Sequence, residues 1–292
     1  MASGMNDTAA PRLERSCGPA PGDWMRVAPS SAGIERIEAY FAGHGYDPHR
    51  HDTYALGVTS EGVQAFRYKG QSRQSVPGQV YALHPDEAHD GHAGTPQGFR
   101  YRSLYIQPEL VRAALGERTA LPFLRETVSG DPRLLAAVRR AVADLERPLE
   151  ELQRDQIIVD IADALAAADA SFPQRHLTAC HARAVTVARE RLETNLRSGV
   201  TSAELEAMTG LTRYALARHF RRALGTSPYR YLVMRRLDRA RRLIQRGSPL
   251  ADAALHSGFA DQSHMTRHFK RAYGLSPGQW ARVSRAVTDA TV

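Results

Sequence analysis

Cysteine and long apolar runs are what this 292-residue chain has least of. Its two cysteines, Cys17 and Cys180, stand far apart. They form neither the paired spacing of a zinc-binding motif nor a disulfide framework, so neither is given a role. No apolar stretch approaches the ~20 residues that a membrane-spanning helix needs, which excludes such a span. The opening segment MASGMNDTAAPRLERSCGPAPGDW has no basic stretch followed by an apolar one. Without that order the segment is not expected to be a secretory signal, and a cytoplasmic protein is expected. Lysine is scarce too: only Lys69 and Lys270 accompany the arginines in a total of 39 basic residues.

The charge that is present is unevenly shared. From Gln174 to the end there are 21 Lys+Arg against 8 Asp+Glu, and the first 173 residues hold 18 against 23. A basic C-terminal half beside an acidic N-terminal half directs a polyanionic partner to the former alone. With 42% hydrophobic residues the chain has material for two cores.

The basic half contains a duplication. Arg218-His219-Phe220-Arg221-Arg222-Ala223 recurs as Arg267-His268-Phe269-Lys270-Arg271-Ala272, and the match continues through Gly225/Gly274, Ser227/Ser276 and Pro228/Pro277. Gly210 matches Gly258 with an offset one shorter, so the second copy carries one more residue in its turn. Each copy reads as helix, glycine turn, helix. Thr201 with Glu204 makes a capping box, Thr212 and Asp261 cap the second helices, and Ser227-Pro228 opens a long helix that Gly247 closes. The apolar stripes predict Leu205, Met208, Leu216, Phe220 and Leu224 facing inward in copy one, and Leu250, Ala254, Leu255, Met265, Phe269 and Tyr273 in copy two. That leaves Arg213, Tyr214, Ala217, Arg218 and Arg221 outward in the first second-helix, with Gln262, Ser263, His264, Thr266, Arg267 and Lys270 outward in the other. Arginine and glutamine make paired hydrogen bonds to guanine and adenine edges in the major groove, and further basic side chains suit phosphates. A solvated basic face on an ordinary helical bundle is the plain alternative.

Residues from about 181 to 285 resemble the DNA-binding domain of the AraC/XylS-type transcriptional regulators, two helix-turn-helix units joined by a long helix. Gly258-Phe259, Phe269-Lys270, Gly274 and Ser276-Pro277 carry the likeness. The resemblance implies base contacts at Tyr214, Ala217 and Arg218, and at Gln262, Ser263, His264 and Arg267. Glu206, where the family usually has a small residue, and Trp280, in place of a common tyrosine, depart from it; Glu206 is expected to loosen the first unit.

The other half is rich in short strands. Tyr54-Leu56-Val58 and Gln64-Phe66-Tyr68 alternate around Ser60-Glu61-Gly62, turns follow at Lys69-Gly70 and Pro77-Gly78, and Gln79–Leu83 and Phe99–Ile106 are strands, with Ile34–Phe41 a short turn or strand. Such a pattern implies a small barrel or jelly roll. Asp47-Pro48-His49-Arg50-His51 and His84-Pro85-Asp86-Glu87-Ala88-His89 are similar to a cupin barrel and to the effector-binding domain of the same regulators. The effector pocket is assigned to His49, His51, Tyr54, His84 and His89. A metal at His49, His51 and His89 is the second reading, weakened because Ala55 stands where a catalytic cupin has a glutamate ligand. Helices are expected over 108–115, 132–146, 150–168 and 181–196, the middle two with stripes that pack on their own domain or form a dimer seam.

The fold expected is α+β: a cupin-like β-barrel with following helices, then an all-α domain with two helix-turn-helix units joined by a long helix. The divisions are a disordered tail (1–30), an effector-binding and dimerisation domain (31–169), a linker (170–180), a DNA-binding domain (181–286) and a tail (287–292). The expected activity is effector-responsive, sequence-specific regulation of transcription, with a metal-dependent cupin enzyme fused to a DNA-binding domain as the alternative. Double-stranded DNA, a small-molecule effector and a second copy of the chain are the expected partners. RNA polymerase is a further partner class, one that arginine chemistry does not itself predict. No catalytic residue, metal, cofactor or membrane contact is assigned.

Overall fold

The computed structural model describes residues 22–116, 120–172, 181–273 and 275–281. Cys17, Cys180, Gly274, the tail 287–292 and most of the expected linker 170–180 lie outside them. The chain divides into two compact units: residues 1–149 with 157–174, and residues 150–156 with 175–292.

Among the described residues of the N-terminal unit, ten strands form two antiparallel sheets. Strands β1 (Trp24–Val27), β2 (Ile34–Phe41), β9 (Phe99–Ile106), β4 (Tyr54–Gly62), β7 (Val80–Leu83) and β10 (Val128–Ser129) make one sheet in that order, and β3 (His44–His49), β8 (His89–Ala93), β5 (Gln64–Tyr68) and β6 (Gln71–Ser75) make the other. Period-two alternation produces the core: Ile37, Ala39 and Phe41, Tyr81 and Leu83, and Phe99, Tyr101 and Tyr105 meet Tyr46, Phe66 and Tyr68 of the second sheet. The other face of the large sheet buries Leu56, Leu104 and Ile106 and is covered by α2 (Pro132–Ala141), whose Leu134, Ala137, Val138 and Ala141 are buried. Asp131 caps α2 by accepting from the Arg133 and Leu134 backbone N–H groups. Helix α1 (Pro108–Leu115) follows β9 directly, and residues Ile157–Ala168 of α3 (Glu151–Ala168) complete the unit.

Several expectations are corrected here. The tail expected over 1–30 contains an ordered strand, because Trp24–Val27 pairs antiparallel with Ile37–Tyr40. Helix α2 ends at Ala141, short of the expected Glu146. The stripes of α2 and α3 are buried within the protomer: Leu134, Val138, Ile158, Val159, Ile161 and Leu165 are all fully covered. Covered in this way, they are not available as a dimer seam. Lys69 and Gly70 both take positive φ, the geometry of a two-residue hairpin that matches strand twist.

Among its described residues the C-terminal unit is helical, without strands: α4 (Ala182–Thr194), α5 (Ser202–Thr209), α6 (Arg213–Leu224), α7 (Pro228–Gln245), α8 (Leu250–His256) and α9 (Gln262–Tyr273). Thr201 and Glu204 form the capping box, and Gly210 and Gly225 end their helices in the left-handed region. Ser227 caps α7 with Pro228 in its first turn. The additional residue of copy two is Ala260, between the turn glycine and the cap Asp261, which accepts from the His264 N–H. One core joins Val185, Ala188 and Leu192 to Leu205, Leu216, Phe220 and Leu232; a second joins Val233, Leu237, Ala240 and Ile244 to Ala253, Phe259, Met265 and Phe269. Helix α7 serves both, so the two copies share one rod of 18 residues, about 27 Å at 1.5 Å per residue. Met208, Leu224 and Leu255, expected inward, are 49%, 38% and 52% exposed, each in the final turn of its helix, where the core ends.

Candidate functional site

The outward face of α9 agrees with its wheel only in part. Met265 and Phe269 are buried, Gln262, Ser263 and Lys270 are exposed, and His264, Thr266 and Arg267 are half-buried. His264 and His268, one turn apart, bring their Nε2 atoms to 3.0 Å, and both rings pack on Phe259. At the head of α9 Gln262 and Ser263 therefore face solvent, while His264, its side chain 13% exposed, has Nε2 3.8 Å from Glu150 Oε1.

Copy one differs. Tyr214 and Ala217, expected outward, are 8% and 5% exposed, and Arg213 and Arg218 are half-buried. The covering residues come from the segment 150–156, which belongs with this unit. Glu151 and Asp155 approach Arg213 Nη1 at 3.6 and 3.7 Å, the Ser202 hydroxyl donates to Asp155, and Glu151 accepts from the Ser202 N–H at 3.1 Å. Leu152, Asp155, Gln156, Ser202, Arg213 and Ala217 line one crevice. Burial pushes the Asp155 carboxyl above its usual range, against the opposing Ser202 and Arg213 contacts, and raises the Tyr214 phenol as well. A helical wheel misses this because the cover comes from residues some sixty positions earlier.

Glu206 corrects a second expectation. Rather than loosening the first unit, it ties α5 to α6: Oε1 accepts from the Arg213 backbone N–H at 2.7 Å and Oε2 from Nη2 at 2.8 Å. These hydrogen bonds, outweighing desolvation, hold the Glu206 carboxyl below its usual range and raise the Arg213 guanidinium. Arg213 is thus engaged by acidic groups at the head of its own helix.

The five side chains assigned to the effector pocket fall into two groups. His84 lies with Tyr54, its ring centroid 5.8 Å away, and with Phe123 at 4.5 Å. The Leu124 N–H donates to His84 Nε2 at 3.0 Å, so that nitrogen carries no proton; Nδ1 carries it and faces the Tyr68 hydroxyl at 2.8 Å. Burial, followed by the nearby Lys69 ammonium, lowers His84 to about 4, and the ring is neutral. Tyr54 donates its hydroxyl to the Pro122 carbonyl at 2.8 Å, and burial raises its pKa. His49, His51 and His89 form the other group, with ring centroids 4.4 Å (His49 to His89) and 4.8 Å (His51 to His89) apart. His49 and His89 are paired across β3 and β8, and His51 follows just after β3. His51 and His89 are buried and His49 is half-buried. Burial holds His51 below its usual value and His89 down to about 3. Tyr68, Phe123 and Leu124, which complete the His84 group, escaped the sequence reading; the first was visible only as a strand residue.

Comparison with known proteins places these two units. A family model of the AraC-like ligand binding domain matches residues 31–162, and one of a helix-turn-helix domain matches residues 205–282. The HTH-type transcriptional regulator YbfI of Bacillus subtilis is 27% identical over 235 residues, which take in 78% of this chain and 86% of that protein. The HTH-type transcriptional activator RhaR of Klebsiella pneumoniae is 33% identical over 162 residues, 52% of this chain and 56% of its own length. Among solved structures, ToxT of Vibrio cholerae is matched over 86% of this chain and 98% of its own, at 11% identity and a TM-score of 0.36. The family models and the sequence relatives support a regulator and give the cupin-enzyme alternative nothing. With a ligand-binding domain followed by a double helix-turn-helix, the chain belongs to the AraC family of transcriptional regulators, which bind DNA and are not enzymes.

Proposed function

We propose that the chain reads an operator chiefly through α9, with Gln262, Ser263, His264 and Arg267 toward base edges and Thr266 and Lys270 toward phosphates. The observation that carries this is the exposure of Gln262, Ser263 and Lys270 on the second helix of a helix-turn-helix unit. Arg218 of α6 adds a contact, while Arg213, Tyr214 and Ala217 become available only when the segment 150–156 leaves α6. Helix α3 supplies residues to both units, Glu151–Gln156 to one and Ile157–Ala168 to the other. An effector that alters this helix alters access to copy one, provided that it binds the two arrangements with different affinity. His49, His51, Tyr54, His84 and His89 are the side chains proposed to meet that effector, a small molecule entering an otherwise apolar core.

The protein works in the cytoplasm and as a homodimer in this reading, and RNA polymerase is its partner at promoters. Among the described residues β1 is an edge strand with exposed Trp24, Met25 and Val27, which supports a sheet-edge contact with a second copy. Genome-wide occupancy tests the function: discrete sites sharing one sequence are expected, and adjacent genes point to the effector. Diffuse occupancy without a shared sequence would indicate an architectural DNA binder instead.

A further inference from the structure

The three histidines at the end of β3 and the start of β8 are oriented alike. His49 Nδ1 lies 2.9 Å from the Asp47 carbonyl, His51 Nδ1 2.9 Å from that of Thr53, and His89 Nδ1 3.0 Å from that of Glu87. A carbonyl oxygen can only accept, so each Nδ1 carries a proton, and in the neutral ring, the form that binds a metal, each Nε2 offers a bare lone pair. The Nε2 atoms of His49 and His51 are buried with no hydrogen-bond partner. One ligand-capable nitrogen from each of the three rings lies within 4.8 Å of the others. Convergent acceptors with no donor among them are unfavourable by themselves, because a buried acceptor left unsatisfied forfeits its hydration. A cation resolves all three at once.

We propose that His49, His51 and His89 bind one first-row divalent metal ion, best matched by Zn²⁺, through their Nε2 atoms. Three imidazoles are the donor set of an open zinc site, and the Nδ1–H to carbonyl bonds are the outer contacts that fix the tautomer of metal-binding histidines. Zinc–nitrogen bonds of ~2.0–2.1 Å set tetrahedral ligands about 3.4 Å apart, so the rings need to close by about 1 Å. His49, half-buried on the last residue of β3, has the most room to move. His84 is excluded from the set, since its Nε2 accepts from Leu124. The three neutral rings leave the ion its full charge and at least one open position, which an oxygen or nitrogen donor of the effector can take. This last clause rests on the reading of the barrel as an effector domain; the metal site itself does not.

The test uses the full-length protein, stripped with a chelator and titrated with Zn²⁺ by calorimetry and with Co²⁺ by visible absorption. One equivalent per chain and the intense bands of tetrahedral cobalt are expected. His49→Ala and His89→Ala, checked for folding by circular dichroism, are expected to bind on the order of 100-fold more weakly or worse, and His84→Ala to bind as wild type does. Absence of stoichiometric binding in the wild type overturns the proposal whatever the variants do. So does retention of full affinity in a His49→Ala/His51→Ala/His89→Ala triple variant, which would place the metal elsewhere, for instance at His264 and His268. An effector that still shifts DNA binding in the stripped protein leaves the effector reading standing while the metal contributes nothing to it.

Discussion

The two helix-turn-helix units are copies of one pattern, yet they differ in what lies on their reading helices. In copy two Gln262 and Ser263 at the head of α9 face solvent, although Glu150 reaches His264; in copy one the equivalent face of α6 is held by Glu151, Asp155 and Glu206. Duplication of sequence therefore does not carry duplication of exposure. Three acidic groups at Arg213 draw the guanidinium away from where a phosphate or base would sit. The turns differ as well. A Cβ on Gly210 would meet nothing within 4 Å, whereas one on Gly258 would lie 2.1 Å from the Leu196 carbonyl oxygen.

The glycines give the largest expected effect. Gly258→Ala combines a left-handed backbone at φ +91° with a collision against main chain, and should cost about 3 kcal/mol or more of unfolding free energy in urea denaturation. Next comes DNA affinity: Arg267→Ala should lose about 1–3 kcal/mol on the cognate duplex and far less on random duplexes, measured by fluorescence anisotropy at fixed salt. An even loss on both would reduce α9 to a phosphate contact. Gly210→Ala, also left-handed but in open space, should cost only about 1–2 kcal/mol in the same denaturation. A penalty equal to that of Gly258→Ala would mean that the two turns are not in fact different. Thr201→Ala removes the capping box from copy one alone and should cost about 1 kcal/mol.

What could be read beforehand was whatever local chemistry decides. Thr201, Thr212, Ser227-Pro228 and the turn glycines set helix ends from their own positions, and the four-residue recurrence of Leu216 and Phe220 set the core face. Strands with alternating apolar residues, such as Phe99–Ile106, were equally legible. Strands β3 and β8 were not: their sequences HGYDPH and HDGHA are built from His, Gly, Asp and Pro, and they pair because their partners are already in place. The candidate site was half legible for the same reason. The histidines were conspicuous in composition, but their division into a triad and a separate His84 group depends on the pairing of β3 with β8 and on the Leu124 N–H. The cover on α6 is a long-range contact and leaves no periodic trace.

Selection of binding sites from a random duplex pool, by wild type and by Asp155→Ala confirmed as folded by its thermal transition, tests most directly whether the two units differ in access. The wild type should enrich one block of defined positions, read by α9. Asp155→Ala should add a second block about one helical turn, 10–10.5 base pairs, away. Two equally defined blocks in the wild type, unchanged by the substitution, would contradict the account.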